Sequence, residues 1–340
     1  MQGHGRRRPT IEDVAHRAKV SIATVSRVVN GSAPVGDVAT ARVRDAVAEL
    51  GYRPASAAQV LARRRTGAIG VLLSRISGDY FTPLLRGIES EVATAGMNLL
   101  ISTGRSEGPL ALAEHNTDGL LAFADSLSDS EIIDLWKRDH PLVLLHRTPP
   151  PDVRVPAVTV ENKAGARQLV DHLVEVHGSR RIAYLRGPAG HEDSRWRELG
   201  YLQSLDDHGL AGAAIIGDGG FSAAIAERQV AEWLASGTRL DAVFAGDDAA
   251  AVGALRAVQA FAADRPIGVV GFDDVPLARH IAPPLTTVRA PTEEVGRIAV
   301  RRLLEAARGT ESTDQVLLPT EVVIRQSCGC PAVPDDGPPA

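Results

Sequence analysis

From Gly67 onward, short apolar runs alternate with segments of helical length, and this alternation restricts the fold more than any other feature of the chain. The runs are Ala68–Leu73, Gly119–Phe123, Pro141–Leu145, Ile182–Leu185, Ala242–Ala245 and Ile267–Phe272. Between them lie amphipathic segments such as Leu84–Ala95, Ala164–His177, Ala223–Leu234 and Glu293–Ala307. A strand that is apolar throughout must be covered on both faces, so the pattern predicts parallel sheets layered between helices. About ten such strands fit two α/β lobes better than one sheet.

The first 66 residues follow a different rule. They hold 12 Lys+Arg against 5 Asp+Glu, leaving 25 against 37 for the remainder, so the net charge of −5 conceals a basic head on an acidic body. That asymmetry suits a nucleic-acid module joined to a sensor. Thr10 is placed to cap a helix, with Asp13 three residues on as a near capping box. Ile11, Val14, Ala15 and Ala18 follow at helical spacing. Ser21 caps a second helix bearing Ile22, Val25, Val28 and Val29, and only Lys19 and Val20 separate the two. A third helix is predicted from about Val38 to Leu50, with Asp37 as its only candidate cap and Gly51 as the residue that ends it. Three short helices, the first two joined this tightly, form a helix-turn-helix pattern.

Several classes of function find no support. No apolar run approaches the roughly 20 residues of a membrane span. The beginning MQGHGRRRPT leads into no hydrophobic stretch, so no secretory signal is expected and the cytoplasm, in association with the nucleoid, is the expected location. No P-loop, Gly-x-Gly-x-x-Gly, HExxH or Gly-x-Ser-x-Gly pattern occurs, so neither catalysis nor a cofactor is expected. The ten histidines show no metal spacing. Cys328 and Cys330 alone do not complete a zinc site, and no metal is expected. Structural or incidental thiols are the first reading for them, with redox sensing or a metal shared between subunits as the alternative.

The segment Thr10–Asn30, TIEDVAHRAKVSIATVSRVVN, resembles the head of the lactose-repressor (LacI/GalR) family of bacterial transcription regulators. The block Val20–Asn30 is its most specific part. The likeness continues through Leu50–Pro54, Ala58–Ala62, Ile69–Val71, Val269–Asp274 and Pro284–Val288, in the family's order. It implies a small all-α helix-turn-helix head and a two-lobed α/β sensor with parallel sheets, similar to periplasmic binding proteins. The expected divisions are a disordered arm (1–9), the head (10–53), a hinge helix and linker (54–65), the sensor (66–327) and a flexible tail (328–340). Within the sensor, the N-lobe is expected at about 66–159 and 290–318, and the C-lobe at about 160–289 and 319–327.

The resemblance also implies a mode of DNA binding. The second helix of such a head enters the major groove. Arg27 is then placed to read a guanine bidentately, while Ile22 and Ala23 offer only apolar contact, most naturally to a thymine methyl. Thr24, which also lies toward the base edges, Ser26 and Asn30 could donate to phosphates, which position the head without reading sequence, and Ser21 at the start of the helix is counted with the DNA-binding residues. Gly36–Thr40 departs from the family's usual start to the third helix, so phosphate affinity is expected to lean on Arg6–Arg8, Arg42 or Arg63–Arg65. Pro54–Ala62 matches the hinge. There Ala57 and Ala58 are helix formers at the DNA, and Leu61 is the implied minor-groove wedge.

For the sensor, the likeness implies a small-molecule effector held at the carboxyl ends of the strands. Arg197 is the implied anchor for ligand hydroxyls, faced by Asp247 and Asp273 as acceptors, with Phe221 against the ligand's apolar face. Ser74, Arg75, Tyr80, Phe81 and His146 would line the N-lobe. Arginine with several carboxylates suits a polyhydroxylated neutral ligand, with sugar as the expected class, because each hydroxyl both donates and accepts. The stretch between Thr103 and Asp118 is shorter than the family's, which trims an N-lobe helix. No leucine heptad follows Ser327, so a homodimer on a pseudo-palindromic operator is expected rather than a tetramer.

Overall fold

A computed structural model describes residues 9–30, 33–52, 66–74, 76, 78–104, 110–261, 265–310 and 314–331. They form two compact units. One holds the head together with 115–118, and the other holds the sensor.

The head has helices α1 (Ile11–Ala18), α2 (Ile22–Asn30) and α3 (Asp37–Leu50). Thr10 and Asp13 form a full capping box: Asp13 N–H donates to Thr10 Oγ1 at 3.3 Å, and Thr10 N–H donates to Asp13 Oδ2 at 2.8 Å. Two of the helix's orphan donors are thus satisfied reciprocally. Ser21 Oγ accepts from Thr24 N–H at 3.1 Å at the start of α2. Val14, Ala15, Ala18, Val25, Val43 and Ala46 interlock as the core of this unit. One expectation is corrected: Gly36, not Asp37, is the cap of α3, and it makes no side-chain bond. Asp37 is instead the first helical residue, where its charge favours the positive end of the helix dipole. Gly51 ends α3 in the left-handed conformation, φ +62°.

The sensor runs in order through β1 (Ala68–Leu73), α4 (Phe81–Thr94), β2 (Asn98–Thr103), β3 (Leu120–Phe123), α5 (Asp129–Lys137), β4 (Leu142–Leu145), β5 (Ala157–Val160) and α6 (Asn162–Glu175). It continues with β6 (Ile182–Arg186), α7 (Glu192–Asp207), β7 (Ile215–Asp218), α8 (Ala223–Ala235), β8 (Ala242–Ala245), α9 (Asp248–Phe261) and β9 (Gly268–Val270). Then come α10 (Leu277–His280), β10 (Thr287–Arg289), α11 (Thr292–Ala306), β11 (Gln315–Leu318) and β12 (Glu321–Val323).

Two sheets result, ordered β11-β5-β4-β3-β1-β2 and β7-β6-β8-β9. The pairings β1–β3, β3–β4, β4–β5, β5–β11, β6–β7, β6–β8 and β8–β9 are all parallel. The inner strands are buried along their whole length, as continuous apolar runs require. The chain passes between the sheets three times, after β5, β10 and β11, so β11 and α11 join the first lobe from the far end of the chain. An antiparallel ribbon, β10–β12, lies outside both sheets. Its strands Thr287–Arg289 and Glu321–Val323 are too short and too polar to read as apolar runs, and the strand count exceeds the expected number for that reason. Among the described residues no helix lies between β2 and β3. No helix of the described residues is long and apolar enough to cross a membrane.

Candidate functional site

In the head, α2 turns Val25 fully inward and leaves its other face open. Ile22 is 48% exposed and so is not part of the small core, despite belonging to the apolar periodicity of the helix. Ser21, Ala23 and Arg27 are also exposed. Ser21 Oγ and Thr24 Oγ1 share a hydrogen bond of 2.9 Å, and Asn30 Nδ2 donates to Ser26 Oγ at 3.2 Å. These bonds hold four short polar side chains along the helix. The hinge residues Ala57, Ala58 and Leu61, and the basic clusters Arg6–Arg8 and Arg63–Arg65, lie outside the described residues, as does Arg75.

In the sensor, the carboxyl ends of both sheets carry one connected polar network. Arg197 on α7 is 3% exposed. Its Nε donates to Asn162 Oδ1 at 2.8 Å, Nη1 to the Gly246 carbonyl at 2.6 Å, and Nη2 to Asp273 Oδ1 at 3.1 Å. The guanidinium stacks on Phe272, 3.8 Å from the ring centroid, and lies 5.8 Å from that of Phe221. Asp193, one turn earlier on α7, approaches Arg197 at 4.0 Å and binds His146 Nδ1 at 2.7 Å. His146 Nε2 in turn shares a 2.7 Å hydrogen bond with Tyr80 Oη. Asn162 Nδ2 also donates to Asp193, at 2.8 Å. Tyr80 follows β1, His146 follows β4 and Asp273 follows β9, so strand ends of both lobes supply the chain of contacts.

Burial and charge act against each other here. Burial pushes the Asp273 carboxyl up to about 6, and Arg197 only partly offsets it. Burial would also raise Asp193, but His146 and Arg197 outweigh it and hold that carboxyl down to about 2. Burial lowers the pKa of His191. Four non-glycine residues of this region, His146, Phe221, Asp273 and Asp274, have positive φ, with Asp273 the most extreme at +113°. Such conformations cost energy and persist where the surroundings over-determine them. Asp273 is fixed by its N–H, which donates to the Val288 carbonyl at 2.8 Å. Asp274 is fixed by Arg325, Arg289 and Arg279 at 2.6, 2.8 and 3.7 Å. Phe221 sits against Gly187, where a Cβ would come within 2.3 Å of the ring, so only glycine admits the ring there.

The structure sorts the expected sensor residues. Arg197, Asp273, His146, Tyr80 and Phe221 come together. Asp247 takes a different part: its Oδ1 accepts from Ala250 N–H at 2.8 Å and caps α9, while the second carboxylate near Arg197 belongs to Asp193. Phe81 turns into the N-lobe core with Leu84 and Ile88, stacking edge-on to Tyr80 and Phe123. It supports Tyr80 rather than presenting a face of its own. Ser74 ends β1 half-buried. Asp193, Asn162 and His191 were missed, although the i,i+4 spacing of Asp193 and Arg197 on one helix was a usable signal. A cavity of about 550 Å3 opens beside the network, lined by Asp125, Ser128, His146, Arg147, His191 and Glu192 among others. His191 Nδ1 is buried there with no hydrogen-bond partner among the described residues.

A helix-turn-helix head and a two-lobed sensor with a polar site at its strand ends define a DNA-binding regulator that responds to a small molecule. Residues 10–55 match the lacI family of bacterial regulatory proteins, and residues 170–328 match the periplasmic binding protein-like domain. The chain is 32% identical to the ribose operon repressor of Halalkalibacterium halodurans, over 94% of its own length and 96% of the relative's. It is 34% identical to the HTH-type transcriptional regulator GalS of Salmonella typhimurium, over 88% and 91%. Among solved structures it resembles the lac repressor dimer bound to operator and the anti-inducer ONPF, with 28% identity, coverage of 95% and 99%, and a TM-score of 0.79. It also resembles a CelR–cellobiose complex, with 31% identity, coverage of 94% and 100%, and a TM-score of 0.68. The chain belongs to the lacI family of bacterial transcription regulators.

Proposed function

We propose that this regulator is a repressor whose hold on a pseudo-palindromic operator is set by a sugar bound at the Arg197 network. The observation that carries the reading is the guanidinium of Arg197, buried between Asp273 and Asp193 and stacked on Phe272. Such a cluster supplies donors and acceptors together, as a hydroxyl-rich neutral ligand requires and a hydrophobic pocket does not. Phe221 offers the apolar face of a sugar ring a surface, and His191 Nδ1 offers a hydroxyl an acceptor or donor. His146 and Tyr80 complete the N-lobe side, and Ser74, Phe81 and Asp247, with Arg75 from outside the described residues, are members of the proposed ligand site. The relatives named for ribose and cellobiose support the same ligand class.

In this reading Arg27, Ile22 and Ala23 read base edges, and Ser21, Thr24, Ser26 and Asn30 meet phosphates. Ala57, Ala58 and Leu61 form the hinge at the operator centre. The head is assigned to 10–53, the hinge to 54–65 and the two sensor lobes to the divisions given above. The protein works as a cytoplasmic homodimer without catalysis. Ligand binding changes operator affinity as far as it distinguishes the two arrangements of the lobes.

The test is a thermal-shift screen of the full chain against mono- and disaccharides, followed by mobility shifts on an operator found by binding-site selection. One sugar should raise the melting temperature and alter operator affinity. Stabilisation by a purine base with silence from every sugar would overturn the ligand class.

A further inference from the structure

Away from the effector network, the end of α6 meets the last described residues of the chain. His172 lies in the final turn of α6, His177 five residues on, and Cys328 and Cys330 flank Gly329. One ligating atom from each of the four lies within 4.8 Å of every other. Cys330 Sγ is 3.6 Å from His172 Nε2 and 3.4 Å from His177 Nε2. We propose that these four side chains form a tetrahedral Cys2His2 zinc site that fastens the C-terminal segment to α6.

The distances carry the argument. With Zn–S about 2.3 Å and Zn–N about 2.0–2.1 Å, the edge from sulfur to nitrogen of a tetrahedron is about 3.5 Å. Both measured S···N separations fall on that edge. The donor set is two thiols and two imidazoles with no oxygen ligand, which suits zinc and disfavours magnesium and calcium. The expectation that no histidines show metal spacing is corrected here: His172 and His177 keep the short spacing of zinc-binding histidine pairs, and their rings stand edge to face, 5.1 Å apart. The Cys-x-Cys spacing is tighter than the usual cysteine pair. Gly329 has φ +103°, a conformation that favours glycine, and it lies between the two cysteines beside the His177 ring.

An outer contact fits as well. The fully buried Thr286 hydroxyl donates to Cys328 Sγ at 3.1 Å, the support a metal-bound thiolate takes from its surroundings. A cleft of about 1000 Å3 lined by His177, Cys328 and Gly329 gives an ion a route in. Four protein ligands close the coordination sphere, so the site is structural rather than catalytic. Its ligands come from distant parts of the chain, so zinc would act as a clip within the C-lobe.

The experiment uses the full chain, purified with reductant and stripped of metal. Zinc added and then dialysed should remain at one ion per chain, with affinity measured by competition against a chromophoric chelator. X-ray absorption at the zinc edge should show two sulfur and two nitrogen ligands. Cobalt substitution should give the visible bands of a tetrahedral ion together with a thiolate charge-transfer band. Cys330→Ser and His172→Ala should each weaken zinc by more than the roughly 10–100-fold that loss of an outer-shell partner costs. Zinc should raise the melting temperature of the wild type and leave that of the variants unchanged. Failure to retain stoichiometric zinc, a shell of oxygen and nitrogen only, or wild-type zinc affinity in Cys330→Ser would each overturn the site. The absorption measurement needs no variant, so a poorly folded substitution cannot obscure the answer.

Discussion

Arg27 in the head and Arg197 in the sensor carry the same guanidinium in opposite surroundings. Arg27 stands exposed on α2, and nothing in the packing of the head depends on it. Arg197 is almost wholly buried, bonded to Asn162, Gly246 and Asp273 and stacked on Phe272. The first is exposed to a partner outside the fold; the second holds the fold and the proposed ligand site at once. Substitutions should therefore separate stability from recognition in the head, and fail to separate them in the sensor.

The largest effect should come from Arg197→Met. Removing the guanidinium leaves the buried Asp273 without its cationic partner, which costs about 3–5 kcal/mol, while Asp193 keeps His146. Denaturant unfolding of the purified protein should show that loss, and the response to ligand should vanish with it. Near-wild-type stability would break the contrast with Arg27. Asp273→Ala comes next, weakening the cognate sugar by about 2 kcal/mol or more in calorimetry while ligand-free operator binding persists.

Acidity sharpens the same comparison. The Asp273 carboxyl holds its proton more tightly folded, at about 6, than unfolded, near 3.9. Its protonation therefore contributes stability that is full below about 3.9 and lost as pH rises through about 6. Asp193, held at about 2, works the other way: its contribution is present above about 3.9 and lost as pH falls toward 2. Sugar affinity should fall as the pH drops through about 6, because a protonated Asp273 no longer accepts on both oxygens. Calorimetry across that range on wild type and Asp273→Asn checks it, and a break of equal size in the variant would assign the titration elsewhere.

Arg27→Ala should cost about 1–3 kcal/mol of discrimination at one symmetric pair of operator positions, with melting temperature unchanged. Selection on the variant that returned the wild-type consensus would remove Arg27 from base reading. The smallest effect is local: Thr10→Ala, which breaks the capping box, should cost about 1 kcal/mol of head stability, read by thermal unfolding of the head's transition.

Much of the head was legible because its determinants act over three or four residues. Thr10 with Asp13, Ser21 with Thr24, and Gly51 after Leu50 are each short-range arrangements of backbone and side chain that periodicity and capping rules describe. The apolar strands were legible for the same reason. Ile22, which periodicity alone would place in the core, is exposed, as the resemblance implied by giving it a contact outside the head. In the sensor, Asp247 caps α9 through Ala250 N–H three residues on, and a second carboxylate beside Arg197 comes from Asp193.

The sequence by itself determined the class of fold and the capping of the head's first two helices, because repeating patterns of burial and capping are written within a few residues of one another. Only the tertiary structure decided what surrounds Arg197, whose three hydrogen-bond partners lie 35, 49 and 76 residues away along the chain. It alone brought His172 and His177 to Cys328 and Cys330, where the two cysteines by themselves point to no metal. Parallel sheets make this inevitable: each strand end is followed by a helix that carries the chain away, so neighbours at the carboxyl edge are never neighbours in sequence.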